Sequence, residues 1–256
     1  MVLRYIIYKL FARHGRGHGI HSPFVYSFIT DVLRNGRNIP EPSRIIEWHR
    51  LVRKDKEYMD PGSFGEGPRL GGKPGKKIGQ IARISGIRFK YGKLLHRIVA
   101  VYKPEHITEL GTGLGLSTAY LASGNPGSGT ISIEGSELKA GFAFRQMKKL
   151  GLQNVEIINS DFDTVLENLE IFSSHLIFID GNHNYEACLR YYRHFRQYAS
   201  EGLILIFDDI NWSRSMNRAW YEICGDNIPA VCIDLFFMGI VFFGKVSSRQ
   251  YFKLKF

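Results

Sequence analysis

HITELGTGLGLST, residues 106–118, joins a short β-rich run to a glycine-rich turn and the start of a helical pattern. HITEL (106–110) has the composition of a strand, and Gly111, Gly113 and Gly115 follow it at alternate positions. Glycines at such a junction allow a tight turn and a close approach of the backbone to a ligand, and the next helix begins with unpaired N–H groups. The stretch therefore predicts a ligand-binding turn between a strand and a helix.

Strand and helix patterns alternate on the C-terminal side of this turn. Further β-rich runs occur at 130–134, 155–159, 175–180 and 202–207. Helical patterns occupy 117–123, 137–150, 164–172, 185–199 and 213–224. The β-rich runs are apolar without alternation, which is what strands covered on both faces require, so we expect a parallel sheet.

Two more β-rich runs close the pattern, AVCIDLFF (230–237) and IVFFGKV (240–246). Only residues 238–239 separate them, and so short a link joins antiparallel strands. We predict an α/β fold with a Rossmann-like, doubly wound, mostly parallel sheet of seven strands whose last strand is antiparallel.

The N-terminal part has a different character. Helical patterns at 24–33 and 44–53 precede a Gly-, Pro- and Lys-rich segment at 60–77, which we expect to be an exposed loop. We therefore predict a basic, mainly helical N-terminal region, residues 1–77, and a second domain of residues 78–256, which begins with helix leading up to Pro104.

The net charge of +10 is unevenly distributed, since residues 1–107 hold 21 Lys and Arg against 8 Asp and Glu. This excess indicates either a docking surface for an anionic partner such as nucleic acid or a solubilising face, and both interpretations stay open. Three cysteines without CxxC spacing argue against a disulfide framework or a zinc site. With no signal peptide and no apolar run of about 20 residues, we expect a cytoplasmic protein without a transmembrane segment.

Two acidic residues strengthen the case for a nucleotide-type ligand. Glu109 lies inside the end of the first strand, where dinucleotide-binding domains usually have an apolar residue. Glu134 closes the second strand 21 positions after Gly113, where an acid can accept hydrogen bonds from both ribose hydroxyls.

ITELGTGLGLST (107–118) resembles motif I of class I S-adenosyl-L-methionine (SAM)-dependent methyltransferases, and ISIEG (131–135) resembles their second motif. The strand and helix order is also the layout of that class. The resemblance implies SAM as the cofactor. It implies a cofactor site of Glu109, Gly111, Thr112, Gly113, Gly115, Ser117, Glu134, Gly135, Asp161, Phe162 and Asp180. Asp161 would contact the adenine, or it would instead cap a helix beginning near Thr164.

Acidic residues also end the fourth and fifth β-rich runs, Asp180 in FIDGNHNYE and Asp208–Asp209 in LIFDDINW. Three carboxylates at one crevice suit Mg²⁺ or another divalent cation. This arrangement is similar to the metal-dependent catechol and caffeoyl-type O-methyltransferases, and the resemblance implies metal ligands at all three positions.

In that family a lysine three positions beyond the first metal aspartate is the general base, and this chain has His183 there. We predict His183 as base, with Asp180 as its catalytic partner and Asn182 and Tyr185 as pocket neighbours. The alternative is a structural junction in which Asp180 caps the helix near Tyr185 and His183 binds backbone.

The N-terminal string HGIHSPFVY (18–26) resembles the N-terminus of an uncharacterised group of bacterial class I methyltransferases. His14, His18 and His21 lack acid or cysteine partners, which makes a metal site there improbable. The aromatic residues Phe24, Tyr26, Phe28 and Trp48 either cover the active site or pack on the sheet, and packing is the more common role.

These features favour an O-methyltransferase that acts on a small-molecule acceptor. The alternatives are an RNA or rRNA methyltransferase that uses the basic N-terminal region, and a SAM-binding protein without catalysis. A homodimer is also left open.

Overall fold

The computed structural model describes residues 2–12, 20–35, 37–59, 75–168, 175–199 and 202–256. Most of the predicted loop at 60–77, and both His14 and His18, lie outside these ranges. The helices are α1 (Val2–Phe11), α2 (Pro23–Ser27), which continues as a π-helical turn at Phe28–Leu33, α3 (Ser43–Val52), α4 (Ile78–Ile84), α5 (Phe89–Tyr102), α6 (Leu116–Gly124), α7 (Glu137–Lys149), α8 (Phe162–Asn168), α9 (Tyr185–Arg196) and α10 (Arg214–Cys224).

The strands are β1 (Tyr58–Met59), β2 (Lys76–Lys77), β3 (His106–Leu110), β4 (Gly129–Glu134), β5 (Val155–Asn159), β6 (Leu176–Ile179), β7 (Ile204–Asp208), β8 (Ala230–Asp234), β9 (Met238–Phe243) and β10 (Gln250–Lys253). β1 and β2 pair as a small antiparallel ribbon. The main sheet contains the other eight strands, mostly parallel, so the predicted seven strands were one too few.

The chain divides into two compact units, which we call the central unit (Ile39–Ser173) and the terminal unit (Met1–Asn38 with Ser174–Phe256). Neither unit ends at residue 77, and the predicted domain division there stays a prediction.

The central unit contains three parallel strands in the order β3-β4-β5. Four of the five residues of β3 are buried, as the apolar run 106–110 predicted. Leu110 lies beside Ile133, and Glu134 beside Asn159, so the carboxyl ends of the three strands come to the same edge. That edge carries the glycine turn.

The terminal unit has its strands in the order β10-β8-β9-β7-β6. β6 and β7 are parallel, whereas β9 is antiparallel to both β7 and β8. The hairpin predicted from 230–246 is therefore confirmed, but β9 is not the last strand. β10 follows it and pairs parallel with β8, an edge position that the sequence did not predict.

Of the N-terminal aromatic side chains in the terminal unit, Phe24 and Phe28 pack on its sheet, whereas Tyr26 is 50% exposed. α2 has Pro23 in its first turn, as predicted, and it leads into the π-helical turn. The rings of Phe24 and Phe28 meet Phe242 of β9 edge-on, with centroids 5.0 and 5.5 Å apart. These two residues therefore belong to the core and are not a cover. In the central unit Trp48 is also buried, and its Nε1 donates to Gln146 Oε1 at 3.0 Å.

Within the part of the chain that the structure describes, no helix is long and apolar enough to cross a membrane. Cys188, Cys224 and Cys232 are free thiols, which agrees with the expected lack of a disulfide framework.

Candidate functional site

The glycine turn of the central unit has the backbone that its sequence predicted. Gly111, Gly113 and Gly115 have φ angles of 109°, 55° and 81°, in the region that side chains other than glycine rarely adopt. The N–H groups of Gly111 and Thr112 donate to the carbonyl of Ile133, at 2.9 and 3.1 Å. These bonds fasten the turn to the end of β4.

Gly115 also needs its small size. A Cβ atom there would lie 2.9 Å from Met147 Cε and 3.1 Å from Ala143 Cβ. Gly115 is the N-cap residue of α6, so any larger side chain would displace α7 from the start of α6.

Gly113 and Glu134 are in direct contact. The N–H of Gly113 donates to Glu134 Oε2 at 2.8 Å, and the N–H of Ser136 donates to Oε1 at 2.9 Å. A Cβ atom added to Gly113 would meet nothing within 4 Å, so open space adjoins this pair. Each carboxylate oxygen has a second lone pair, and Glu134 can therefore accept the two hydroxyls of a ribose while it holds the turn. Gly135 lies between Glu134 and Ser136 in the chain.

Glu109 is fully buried at the end of β3. Its Oε2 accepts hydrogen bonds from Thr118 Oγ1 and Ser132 Oγ, each at 2.5 Å. Burial raises the pKa of Glu109, and the nearby hydroxyl groups of Ser117, Ser132 and Thr118 oppose this effect. Among the described residues Oε1 has no partner.

A buried carboxylate oxygen without a donor is costly, so this atom suits a donor group of a ligand, such as an ammonium. Together with the open space beside Gly113 and the free acceptor capacity of Glu134, it gives the central unit a set of residues that fits an adenosyl amino acid.

Asp161 caps a helix, which was the alternative to the predicted adenine contact. Its Oδ1 accepts from the N–H of Thr164 at 2.8 Å and its Oδ2 from Thr164 Oγ1 at 2.7 Å. These bonds lower the pKa of Asp161 and cap α8, of which Phe162 is the first residue. The cap leaves acceptor positions on both oxygens, so contact with an adenine amino group stays a prediction.

In the terminal unit, Asp180 follows β6 and does not cap the next helix. The N-cap of α9 is Asn184, whose side chain accepts from the N–H of Ala187 at 2.9 Å. The alternative in which Asp180 was the cap is therefore wrong. Asn182 has a positive φ of 49° and donates from Nδ2 to the hydroxyl of Tyr191 at 2.6 Å, which fixes the turn between β6 and α9.

His183 and Asp180 form a pair in this turn, with Nε2 and Oδ1 3.5 Å apart and with both side chains partly buried. Burial lowers the pKa of His183, and the negative charge of Asp209 opposes this effect. The imidazole is therefore neutral near pH 7. Tyr185, the other predicted neighbour, points its hydroxyl to Glu222 and stacks under Arg218, whose guanidinium carbon is 4.6 Å from the ring centroid.

The metal site predicted at Asp180, Asp208 and Asp209 stays a prediction. Across the described ranges, no group of three or more His, Cys, Asp or Glu side chains is placed to hold a metal ion. Asp208 ends β7 and Asp209 follows with a positive φ of 52°. Asp180 lies 3.5 Å from His183, and the charge of Asp209 acts on the same imidazole. The chemistry proposed below uses no metal ion.

Sequence reasoning missed several residues that shape these sites. Ser132 and Thr118 hold Glu109, and Asn184 begins α9. Ser132 had a readable signal, because it is a polar residue between Ile131 and Ile133 in a buried strand.

Comparison with known proteins places this geometry in a family context. Residues 108–210 match the family described as "Methyltransferase domain". No curated protein sequence matches the chain. The match runs from β3 through β7 and includes the glycine turn.

Solved structures show the same fold at low sequence identity. The O-methyltransferase from Bacillus cereus in complex with SAH has a TM-score of 0.58 at 20% identity, covering 86% of this chain and 97% of that one. SAH-bound PaMTH1 from Podospora anserina has a TM-score of 0.60 at 16% identity, covering 88% and 99%. TomG from Streptomyces achromogenes, an O-methyltransferase involved in tomaymycin synthesis and solved with SAM, scores 0.55 at 17% identity, covering 64% and 86%. The chain therefore has the fold of class I SAM-dependent methyltransferases.

Proposed function

We propose that this protein is a SAM-dependent methyltransferase that transfers a methyl group to an oxygen of a small-molecule acceptor. One observation carries the proposal: Gly113 donates to Glu134 at 2.8 Å beside open space, on a turn that begins a helix. The methyltransferase-domain match over residues 108–210 supports the same activity.

The central unit would bind the cofactor through Glu134 and Glu109. Glu134 would accept the ribose hydroxyls, and its bonds from Gly113 and Ser136 hold it in place before binding. Glu109 Oε1 would accept from the cofactor's ammonium, which would stabilise the ionised carboxylate against burial. Bound SAM would supply a methyl group on an electrophilic sulfonium, so the protein chiefly has to position it and exclude water.

The terminal unit would supply the base. With His183 Nε2–H directed to Asp180, Nδ1 of the neutral ring accepts the proton of the acceptor hydroxyl. The oxygen would then take the methyl group while the methyl–sulfur bond breaks and its electron pair stays on the sulfur, and the imidazolium that results would be stabilised by Asp180 and by the charge of Asp209. A hydroxyl acceptor fits this arrangement because proton removal makes its oxygen nucleophilic.

Two measurements test the proposal. Isothermal titration calorimetry with SAM and with SAH should show binding to the purified chain, and the absence of heat with both would end the proposal. Incubation with methyl-labelled SAM and fractionated cell extract should then place label in the small-molecule fraction. Label in the RNA fraction alone would replace the proposed acceptor class.

A further inference from the structure

Helix α1 is held to the terminal unit by one face. Tyr8 is 2% exposed, its ring centroid lies 5.2 Å from that of Phe236, and its hydroxyl donates to the carbonyl of Leu254. Arg4 donates from Nη1 to the carbonyl of Ser213 at 3.1 Å. Arg4 and Tyr8 are four positions apart and so share one side of the helix. This side is the docked face of α1.

The opposite side of α1 is apolar and exposed. A helix turns about 100° per residue, which places Ile6 and Leu10 opposite Tyr8 and Ile7 and Phe11 along the adjoining flank. Their exposed fractions are 50%, 45%, 69% and 78%. An apolar stripe of this kind on a protein surface marks an interaction site, and we call these four residues the α1 stripe.

Basic side chains lie on α1 and on the adjacent C-terminal segment. Residues 2–12 contain Arg4 and Lys9 and no acidic residue. The hydrogen bonds of Tyr8 to Leu254 and Phe256 place α1 beside the C-terminal strand. Residues 253–256 add Lys253 and Lys255, of which Lys253 also lies 4.0 Å from Asp234 of β8. Apolar side chains beside lysine and arginine are the signature of a helix that lies in the interface of an anionic bilayer.

A second copy of the chain fits the α1 stripe less well. A stable protein dimer buries about 800 Å² on each partner, whereas ten helical residues span only about 15 Å and the stripe has four apolar side chains. Two copies would also bring like charges together. A nucleic acid would use the basic residues but would gain little from Ile, Leu and Phe side chains.

We propose that α1 docks this protein on the surface of an anionic lipid bilayer, with the α1 stripe in the interface and the basic residues near the headgroups. Since no described helix is long and apolar enough to span a bilayer, α1 would lie along the surface. This inference does not depend on the proposed methyl transfer.

Co-sedimentation of the full chain with vesicles tests the inference. We expect binding to phosphatidylcholine vesicles that contain phosphatidylglycerol, weaker binding to phosphatidylcholine alone, and weaker binding at high salt. The double variant Leu10→Ser/Phe11→Ser should lower the vesicle affinity at least about tenfold. The matched control Leu51→Ser/Ile84→Ser removes two side chains that are 63% and 72% exposed on other helices, and it should bind like the wild type.

Circular dichroism shows whether each variant keeps its helices, and the single variant Phe11→Ser replaces the double variant if that one does not fold. The inference is overturned if the wild type does not bind the anionic vesicles, or if the stripe variant and the control bind equally. A dimer that sedimentation equilibrium detects in the wild type and not in the stripe variant, without vesicle binding, would assign the stripe to a second copy instead.

Discussion

The central unit and the terminal unit hold their acidic side chains in different ways. In the central unit, Glu134 accepts from two backbone N–H groups and Glu109 from side chains of adjacent elements. In the terminal unit, Asp180 and Asp209 act on a neighbouring histidine, His183, and no cluster of ligands forms among the described residues. Carboxylates that are held by backbone N–H groups suit a ligand that is always the same, such as a cofactor. Carboxylates that pair with other side chains can be rearranged to suit a different acceptor.

The largest expected effect separates catalysis from cofactor binding. His183→Gln should lower kcat about 10²- to 10⁴-fold because the acceptor loses its base, while the Kd for SAM changes less than about twofold. Turnover assays and calorimetry on the same preparation measure both quantities. His194→Gln, on α9 of the same unit, is the control and should keep wild-type kcat. A His183 variant with full turnover would remove the division of roles between the units.

A substitution of Glu134 in the central unit should instead weaken the binding of SAM. Glu134→Gln replaces an acceptor of two N–H bonds with an amide that cannot accept at both positions, and SAM affinity should fall about 100-fold. Calorimetry measures the change. Glu137→Gln alters an exposed acid three residues away and should leave affinity unchanged. If both variants bind SAM equally well, Glu134 does not contact the ribose.

A buried histidine makes the central unit sensitive to acid. His49 is fully buried, stacks on Phe89 with centroids 4.0 Å apart, and contacts the hydroxyl of Tyr120 in α6. Burial, with help from the charge of Arg53, lowers its pKa from 6.5 to about 4. Below pH 6.5 the unfolded chain therefore binds a proton that the folded chain refuses, and stability falls as the pH falls.

Between pH 7 and pH 4.5 this histidine should cost about 2 kcal/mol of unfolding free energy. Urea titrations of the wild type and of His49→Gln at the two pH values measure the difference. The variant should lose less stability on acidification than the wild type does. An equal loss in both proteins would show that His49 is not the group responsible.

The smallest expected effect is a shift in a pH profile. Because burial lowers the pKa of His183, kcat/KM should rise with pH to a plateau, with its midpoint below 6.5. Asp209 raises that pKa, so Asp209→Asn should move the midpoint to lower pH and leave the plateau height nearly unchanged. A shift to higher pH, or none, would contradict the electrostatic effect of Asp209 on His183.

The contrast between the units also explains how much could be predicted from the sequence. β3 and β5 have the predicted bounds. Four of the five residues of β3 are buried, as expected for a strand covered on both faces, whereas β5 is the edge strand of the sheet and has no buried residue. The contact between Gly113 and Glu134 could be predicted from the sequence, because Gly113 lies in the glycine turn after β3 and Glu134 ends the neighbouring strand β4. β10 was missed because QYFK is a short edge strand whose pairing with β8 depends on the rest of the fold.

The terminal site was harder to predict for a related reason. Asp180, Asp208 and Asp209 each end a strand as expected, but sequence position does not say which way consecutive side chains turn. The positive φ of Asp209 and the choice of Asn184 over Asp180 as helix cap decided the arrangement. The same is true of Asp161, whose bonds to Thr164 were foreseen only as an alternative.

The junction at Tyr8 joins the first helix to the final residues of the sequence. The backbone N–H of Phe256 donates to the Tyr8 hydroxyl at 3.2 Å, and the carbonyl of Leu254 accepts from it. Because both hydrogen bonds involve the same side chain of α1, displacement of α1 would free residues 254–256, and unanchored end segments are the usual sites of proteolysis. The rate at which carboxypeptidase removes residues 254–256 therefore reports whether α1 is packed on the terminal unit.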